Sequence, residues 1–277
     1  MRIATWNVNS IRTRKHRVID YLHAADIDVL LMQETKCQNA QFPLDDFSHA
    51  GYDIAHFGLN QWNGVAIAAR LEISDIEEGF AGMPGFAKNS HDEPALEARA
   101  ISAVVDGVRL WSVYVPNGRS LEDPHYDYKL RWLSALGDAV AEYSATRDAL
   151  PYAVGGDFNI APLATDVGDP DFQRPGTTHT SPPERAALEK FLEVAGLADA
   201  VRPFQPDGYT FWDYTQGKFA KDHGLRIDFL FGSPGFRELV IDARIDASER
   251  TGESPSDHVP VVVELDASDD DDRPMVF

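Results

Sequence analysis

Asp157 and Asn159 stand two residues apart in Gly155-Gly156-Asp157-Phe158-Asn159, directly after the apolar run Tyr152-Ala153-Val154. In extended backbone, residues two apart point the same way, so the carboxylate and the amide project together while Phe158 turns into the core. The glycines permit a sharp turn and close approach by a ligand. A carboxylate beside an amide can orient and deprotonate a water without a nucleophilic side chain. Gly-Asp-x-Asn is also ordinary turn chemistry at a strand end, so its meaning depends on what accompanies it.

Other apolar runs end in polar residues too. Asn7 and Asn9 close the first at the same spacing, and Glu34 follows Val29-Leu30-Leu31-Met32. Tyr114 and Asn117 flank Pro116, Asp228 lies inside Leu225-Arg226-Ile227-Asp228-Phe229-Leu230, and Asp257-His258 precedes Val259-Pro260-Val261. Each has a plain alternative: turn residue for the asparagines, ion-pair member for Glu34 and Asp228, surface histidine for His258, core ring for Tyr114. Taken together, hard oxygen donors (Glu34, Asp257 and neighbouring amides) in a chain with one cysteine suit Mg²⁺ or Mn²⁺ rather than zinc. A histidine near a carboxylate can donate to an oxyanion. Metal-assisted phosphoester hydrolysis is the chemistry this set describes.

The elements that must position these residues are legible. Strands are expected at Arg2–Val8, Val29–Met32, Tyr52–His56, Gly64–Ala69, Ala100–Val105, Arg109–Val115, Tyr152–Asp157, Arg226–Phe231 and Val259–Glu264. Helical periodicity is clearest at Lys15–Ala24, Tyr126–Tyr143 and Pro183–Val194, and Asp106-Gly107 signals a hairpin. Helices are too few and too irregular for a barrel of repeated strand–helix units, so an α+β sandwich of two sheets is expected. Ala81–Asp92 reads as a surface loop, residues 1–267 as a single catalytic domain, and 268–277 as an acidic, disordered tail.

Composition sets bounds. The 277 residues carry a net charge of −20, with acid concentrated in Glu72–Glu78, Asp92–Glu97 and Asp269–Asp272. That balance opposes phosphate binding unless the cations are local. Cations do cluster at Arg12, Arg14, Lys15 and Arg17, and at Arg119, Lys129, Arg131, Lys218, Lys221 and Arg226. One cysteine, Cys37, excludes a disulfide framework. No segment reads as a signal peptide or a membrane span, so a cytoplasmic protein with no membrane partner is expected.

The ordered motifs carry a resemblance. Thr5-Trp6-Asn7-Val8-Asn9, Gln33-Glu34-Thr35-Lys36, Trp62-Asn63-Gly64-Val65, Tyr114-Val115-Pro116-Asn117-Gly118, Gly156-Asp157-Phe158-Asn159, Phe211-Trp212-Asp213-Tyr214, Leu225-Arg226-Ile227-Asp228 and Ser256-Asp257-His258 occur in the expected sequence. Over about Met1 to Leu265 the chain resembles the bacterial exonuclease III group of the endonuclease/exonuclease/phosphatase superfamily. The resemblance implies a four-layered α/β sandwich, two mostly antiparallel sheets face to face with helices outside. It implies incision of duplex DNA 5′ to abasic sites, 3′→5′ exonuclease action and removal of blocking groups from 3′ ends, with Mg²⁺ as cofactor and Mn²⁺ as substitute; a monomer is expected. It places the metal at Glu34, with Asn7 and Asp257 assisting. Asp157 with Asn159 would activate water, and His258 held by Asp228 would contact the phosphate. Tyr114 would be catalytic, and Asn117, Arg119 and Lys129 would bind substrate. Phe211, Trp212 and Leu225 would form a slot for a base-free sugar, and Arg12–Arg17 with Lys218–Lys221 would grip the backbone.

Overall fold

A computed structural model of the chain describes residues 1–89, 91–146, 150–174 and 176–266; the expected acidic tail lies outside them. One sheet contains β1 (Arg2–Asn7), β2 (Val29–Gln33), β3 (Asp53–Phe57), β4 (Val65–Ala69), β11 (Val240–Ile245) and β12 (Val261–Leu265), in the order β11-β12-β1-β2-β4-β3. The other contains β5 (Ile73–Glu78), β6 (Ala100–Val105), β7 (Val108–Tyr114), β8 (Tyr152–Asp157), β9 (Ala198–Asp199) and β10 (Asp228–Gly232), in the order β5-β6-β7-β8-β10-β9. Each sheet is antiparallel except for one central parallel pair, β1 with β2 and β7 with β8.

Period-two alternation explains the layers. Ile3, Leu31, Ile67, Leu110 and Leu230 point between the sheets, while Trp6, Leu30 and Met32 point outward to α1 (Ile11–Ala24) and the short α2 (Leu44–His49). On the far side Val154, Phe229 and Phe231 point outward to α3 (Pro124–Thr146) and α4 (Pro182–Ala195). Helices therefore flank two facing sheets, as the resemblance implied. Gly155 lets the sheets approach: a Cβ there would lie 2.6 Å from Leu31 Cδ1 and 2.7 Å from Leu230 Cδ2.

Differences from the sequence expectations have local causes. β5 is a solvent-facing edge whose acidic side chains show no apolar alternation, yet it pairs with β6. β11 carries a register shift at Ile241 that breaks its alternation. α1 begins at Ile11 rather than Lys15, and Ser10 before it makes no side-chain capping bond. α2 and α5 (Pro234–Leu239) span six residues each, too short for a helical period to show. The Asp106-Gly107 turn joins β6 to β7 with both residues at positive φ, the geometry a two-residue hairpin needs. Ala81–Asp92 is not free along its described length: Phe86 pairs with Ala95 and lies 3.8 Å, centroid to centroid, from the ring of His125. Among the described residues no helix is long and apolar enough to cross a membrane.

His56 on β3 faces the outer layer, its Nε2 2.9 Å from Thr35 Oγ1. Burial lowers its pKa from 6.5 to about 4. A depressed histidine pKa contributes stability that is complete above the unfolded value and is lost as pH falls through the folded one. The melting temperature is therefore expected to drop between pH 6.5 and 4, by an amount equivalent to about 3 kcal/mol at most. His56→Gln should flatten that slope; an equally steep slope in the variant would assign the acid sensitivity elsewhere.

Candidate active site

The alternation that builds the inter-sheet core also points polar residues inward at one end of it. Asn7 ends β1, Tyr114 ends β7, Asp157 ends β8 and Asp228 begins β10, each in phase with inward residues of its strand. The antiparallel register sets Asp228 opposite Asp157, and the parallel register sets Tyr114 beside it. The loops leaving these strands are tightly turned. Asn9, Glu34, Lys36 and Asn159 all have positive φ, at 43°, 54°, 52° and 53°. Non-glycine residues in that region cluster where a fold holds a functional geometry.

Asp157 is buried. Its Oδ1 accepts from the Asn159 backbone N–H at 2.8 Å and its Oδ2 from Asn7 Nδ2 at 3.0 Å. Burial raises its pKa well above the ordinary carboxylate range, opposed by His258 and reinforced by Asp228 and Glu34. His258 Nδ1 lies 2.8 Å from Asp228 Oδ2, and its Nε2 lies 3.8 Å from Asp157 Oδ2. Burial lowers the histidine, but the two carboxylates win and raise it to about 10. The ring is therefore an imidazolium at neutral pH, with Nδ1–H bound to Asp228 and Nε2–H turned toward Asp157.

Glu34 lies between that row and solvent. Its Oε1 accepts from Asn7 Nδ2 at 2.8 Å, and its Oε2 is 2.6 Å from Lys36 Nζ. Burial would raise the carboxyl, yet Lys36, the Asn7 amide and His258 hold it below its ordinary value. Donor atoms of Glu34, Asp157 and His258 all lie within 4.8 Å of one another. The fit of this place to a hard cation is visible in Lys36, whose ammonium also donates to Asn9 Oδ1 at 2.5 Å. A positive charge is already bound by the oxygen donors that a divalent ion would use.

Several expected roles are relocated. Asn7 is not oriented as an oxygen ligand: the Asn9 backbone N–H donates to its Oδ1 at 3.1 Å, which fixes the amide and turns Nδ2 to both carboxylates. Asp257 stands outside the three-residue cluster and is linked to it through Asn9 Nδ2 at 3.0 Å. Lys129, expected to bind substrate, is fully buried on Glu184 and the Asn159 carbonyl. Of the slot residues, only Phe211 is half-exposed, its ring 4.9 Å from that of His258. Trp212 and Leu225 are buried behind it, Leu225 exchanging backbone bonds with Phe211.

Tyr114 adjoins Asp157 across the sheet, and Asn117 reaches the site through Asn159. Tyr114 is raised well above its ordinary pKa by burial and by Glu34, so its hydroxyl is a donor. Asn117 is exposed and donates to Asn159 Oδ1 at 2.9 Å, with Arg119 beside it.

The basic clusters are largely engaged. Arg14 and Arg17 donate to backbone carbonyls of the segment 249–255, and Lys15 pairs with Asp46. Lys218 pairs with Asp169 and Asp171, Arg226 with Asp199, and Arg131 with Asp127. Arg12, Arg119 and Lys221 are exposed and carry no ion pair among the described residues. Sequence reasoning missed Lys36 as a site residue, although its two-residue spacing from Glu34 repeats the pattern of Asp157 and Asn159.

Comparisons with known proteins match nearly the whole chain. The sequence model of the Endonuclease/Exonuclease/phosphatase family matches residues 4–258. An exodeoxyribonuclease of Bacillus subtilis (strain 168) is 31% identical over 268 residues, covering 94% of this chain and 98% of the relative. A structure of the 3′ phosphatase NExo from Neisseria bound to a product DNA hairpin superposes with a TM-score of 0.87 at 35% identity, covering 96% of this chain and 99% of that one. An AP endonuclease from Archaeoglobus fulgidus superposes with a TM-score of 0.85 at 36% identity, covering 96% and 99%.

Proposed function

This chain belongs to the endonuclease/exonuclease/phosphatase family and is a hydrolase of its DNA-repair nucleases, and we propose that it cleaves duplex DNA 5′ to abasic sites and trims or unblocks 3′ ends. The observation that carries this reading is the row Asp228–His258–Asp157 beside Glu34: a buried carboxylate with a raised pKa faces an imidazole whose own pKa two carboxylates raise. Phosphodiester hydrolysis needs a base for water and fixed positive charge for the phosphate.

Asp157, held by two N–H donors, takes the proton of the attacking water. As the new P–O bond forms, the P–O3′ bond breaks, leaving a 5′-phosphate and a 3′-oxyanion that takes a proton from solvent to become the 3′-hydroxyl. In this reading the His258 Nε2–H, the Tyr114 hydroxyl and the Asn117 amide would donate to the phosphate oxygens. A divalent cation, Mg²⁺ with Mn²⁺ as substitute, would be held by Glu34, with Asp257 assisting through Asn9, and would neutralise charge on the phosphate and the leaving oxygen. Lys36 must leave Glu34 for this. Phe211 offers a flat apolar wall beside His258 for a sugar without a base. Arg12, Arg119 and Lys221 remain to grip the backbone. A cytoplasmic monomer is the form proposed.

Cleavage of a labelled duplex with one abasic analogue, beside an undamaged duplex, tests this. Incision 5′ to the lesion with Mg²⁺ and none in EDTA is expected. With about three phosphate contacts, log K should fall against log salt with a slope of about −3. Hydrolysis of an inositol or sugar phosphate faster than of abasic DNA would instead favour a small-phosphoester enzyme, a reading the −20 charge and the internally paired cations lend weight to.

A further inference from the structure

Against the Asn159 carbonyl lies a buried charged unit that the mechanism above does not use. Lys129 Nζ on α3 donates to the Asn159 carbonyl at 2.7 Å and to Glu184 Oε1 at 2.5 Å. Glu184, in the first turn of α4, accepts four further bonds: from Thr178 Oγ1, the His179 N–H, and the Ser181 N–H and Oγ. His179 Nδ1 lies 2.6 Å from the same Asn159 carbonyl. A carbonyl only accepts, so Nδ1 carries the hydrogen and donates.

Asn159 is the residue these groups surround. Its backbone is left-handed, its N–H holds Asp157, its side-chain Nδ2 donates to Val115 O at 3.0 Å, and its Oδ1 accepts from Asn117. The Lys129 stem also supports the phosphate-side loop: a Cβ on Gly118 would lie 3.3 Å from Lys129 Cδ.

We infer that Lys129, Glu184 and His179 form a positioning unit that fixes Asn159, and through it both the orientation of Asp157 and the placement of Asn117. Packing alone does not require charge here, since a buried ion pair is commonly replaced by apolar groups without loss of stability. What the unit supplies is two donors aimed at one carbonyl. The inference rests on the proposed role of Asp157 as base. It concerns kcat, because none of the three residues reaches the surface where substrate lies.

The test is Lys129→Met with Glu184→Gln, a pair that leaves no unpaired buried charge. Steady-state kinetics use whichever phosphodiester the wild-type chain hydrolyses fastest, so failure of the DNA-repair reading changes the substrate and not the comparison. We expect kcat to fall by about 10- to 100-fold with KM unchanged within about threefold, in protein that melts cooperatively. A kcat within about threefold of wild type overturns the inference. So does a KM rise that matches the fall in kcat, which would make Lys129 a substrate contact. If the pair does not fold, His179→Leu, which removes one donor and leaves the ion pair, decides by the same criterion.

Discussion

Asp157→Asn is expected to lower kcat by about 10³-fold or more while DNA binding and divalent-ion binding persist. The substitution is isosteric, but an amide cannot take a proton from water. Asn7 Nδ2 and the Asn159 N–H both donate to the present carboxylate. An asparagine at 157 can satisfy one of them and must turn an N–H toward the other. The same variant should be at least as thermostable as the wild type at pH 8. Burial raises the Asp157 pKa, so the native state stabilises the protonated acid; that contribution is present at low pH and is lost as pH rises through the folded value. A neutral side chain does not incur that loss. Activity of the wild type should accordingly rise with pH as Asp157 ionises, and the rise should vanish in the variant. Retention of more than about a tenth of wild-type kcat would remove Asp157 from the role of base.

The second large effect is expected at Asp228. Asp228→Asn removes the first of the charges that hold His258 at about 10, and the ring should return toward its ordinary 6.5. The imidazolium is the active form, present below the folded pKa and lost above it. The alkaline limb of the kcat profile should therefore move from near 10 toward neutrality. At pH 8 the variant is expected to be slower by about 100-fold, and at pH 6 by far less. Stability follows the same sign: the His258 contribution is complete below pH 6.5 and disappears as pH passes 10. An alkaline limb left in place would show that some other group titrates there. Since Asp228 Oδ1 is buried with no hydrogen-bond partner among the described residues, the carboxylate depends on His258 as much as His258 depends on it.

Both predictions concern residues already visible as polar interruptions of apolar runs, and the reason is periodicity. A strand that faces a core on both sides tolerates a carboxylate only where its period-two phase brings it to a shared open end. Asp157, Asp228, Asn7 and Tyr114 obey that rule in four separate strands. The order of motifs along the chain then identified the family. β5 and β11 were hidden because edge strands need no apolar face of their own, and pairing rather than burial holds them.

Which residues are ligands, which are donors and which are support was beyond one-dimensional reading. Lys129 looks like any surface cation in sequence, yet α3 and α4 enclose it against Glu184, fifty-five positions away. Arg14, Arg17, Lys218 and Arg226 form apparent basic clusters, yet the fold brings carbonyls and carboxylates to each of them. Asn7 offers an oxygen or a nitrogen equally well until the Asn9 N–H settles its rotation. Alternation and motif order are written along the chain, so the layered fold, the family and the residue types at the strand ends were legible before folding. Tertiary structure alone decided the protonation of His258 and Asp157 and the division of cations between surface and interior. Desolvation and pairing depend on groups that meet only when the two sheets close.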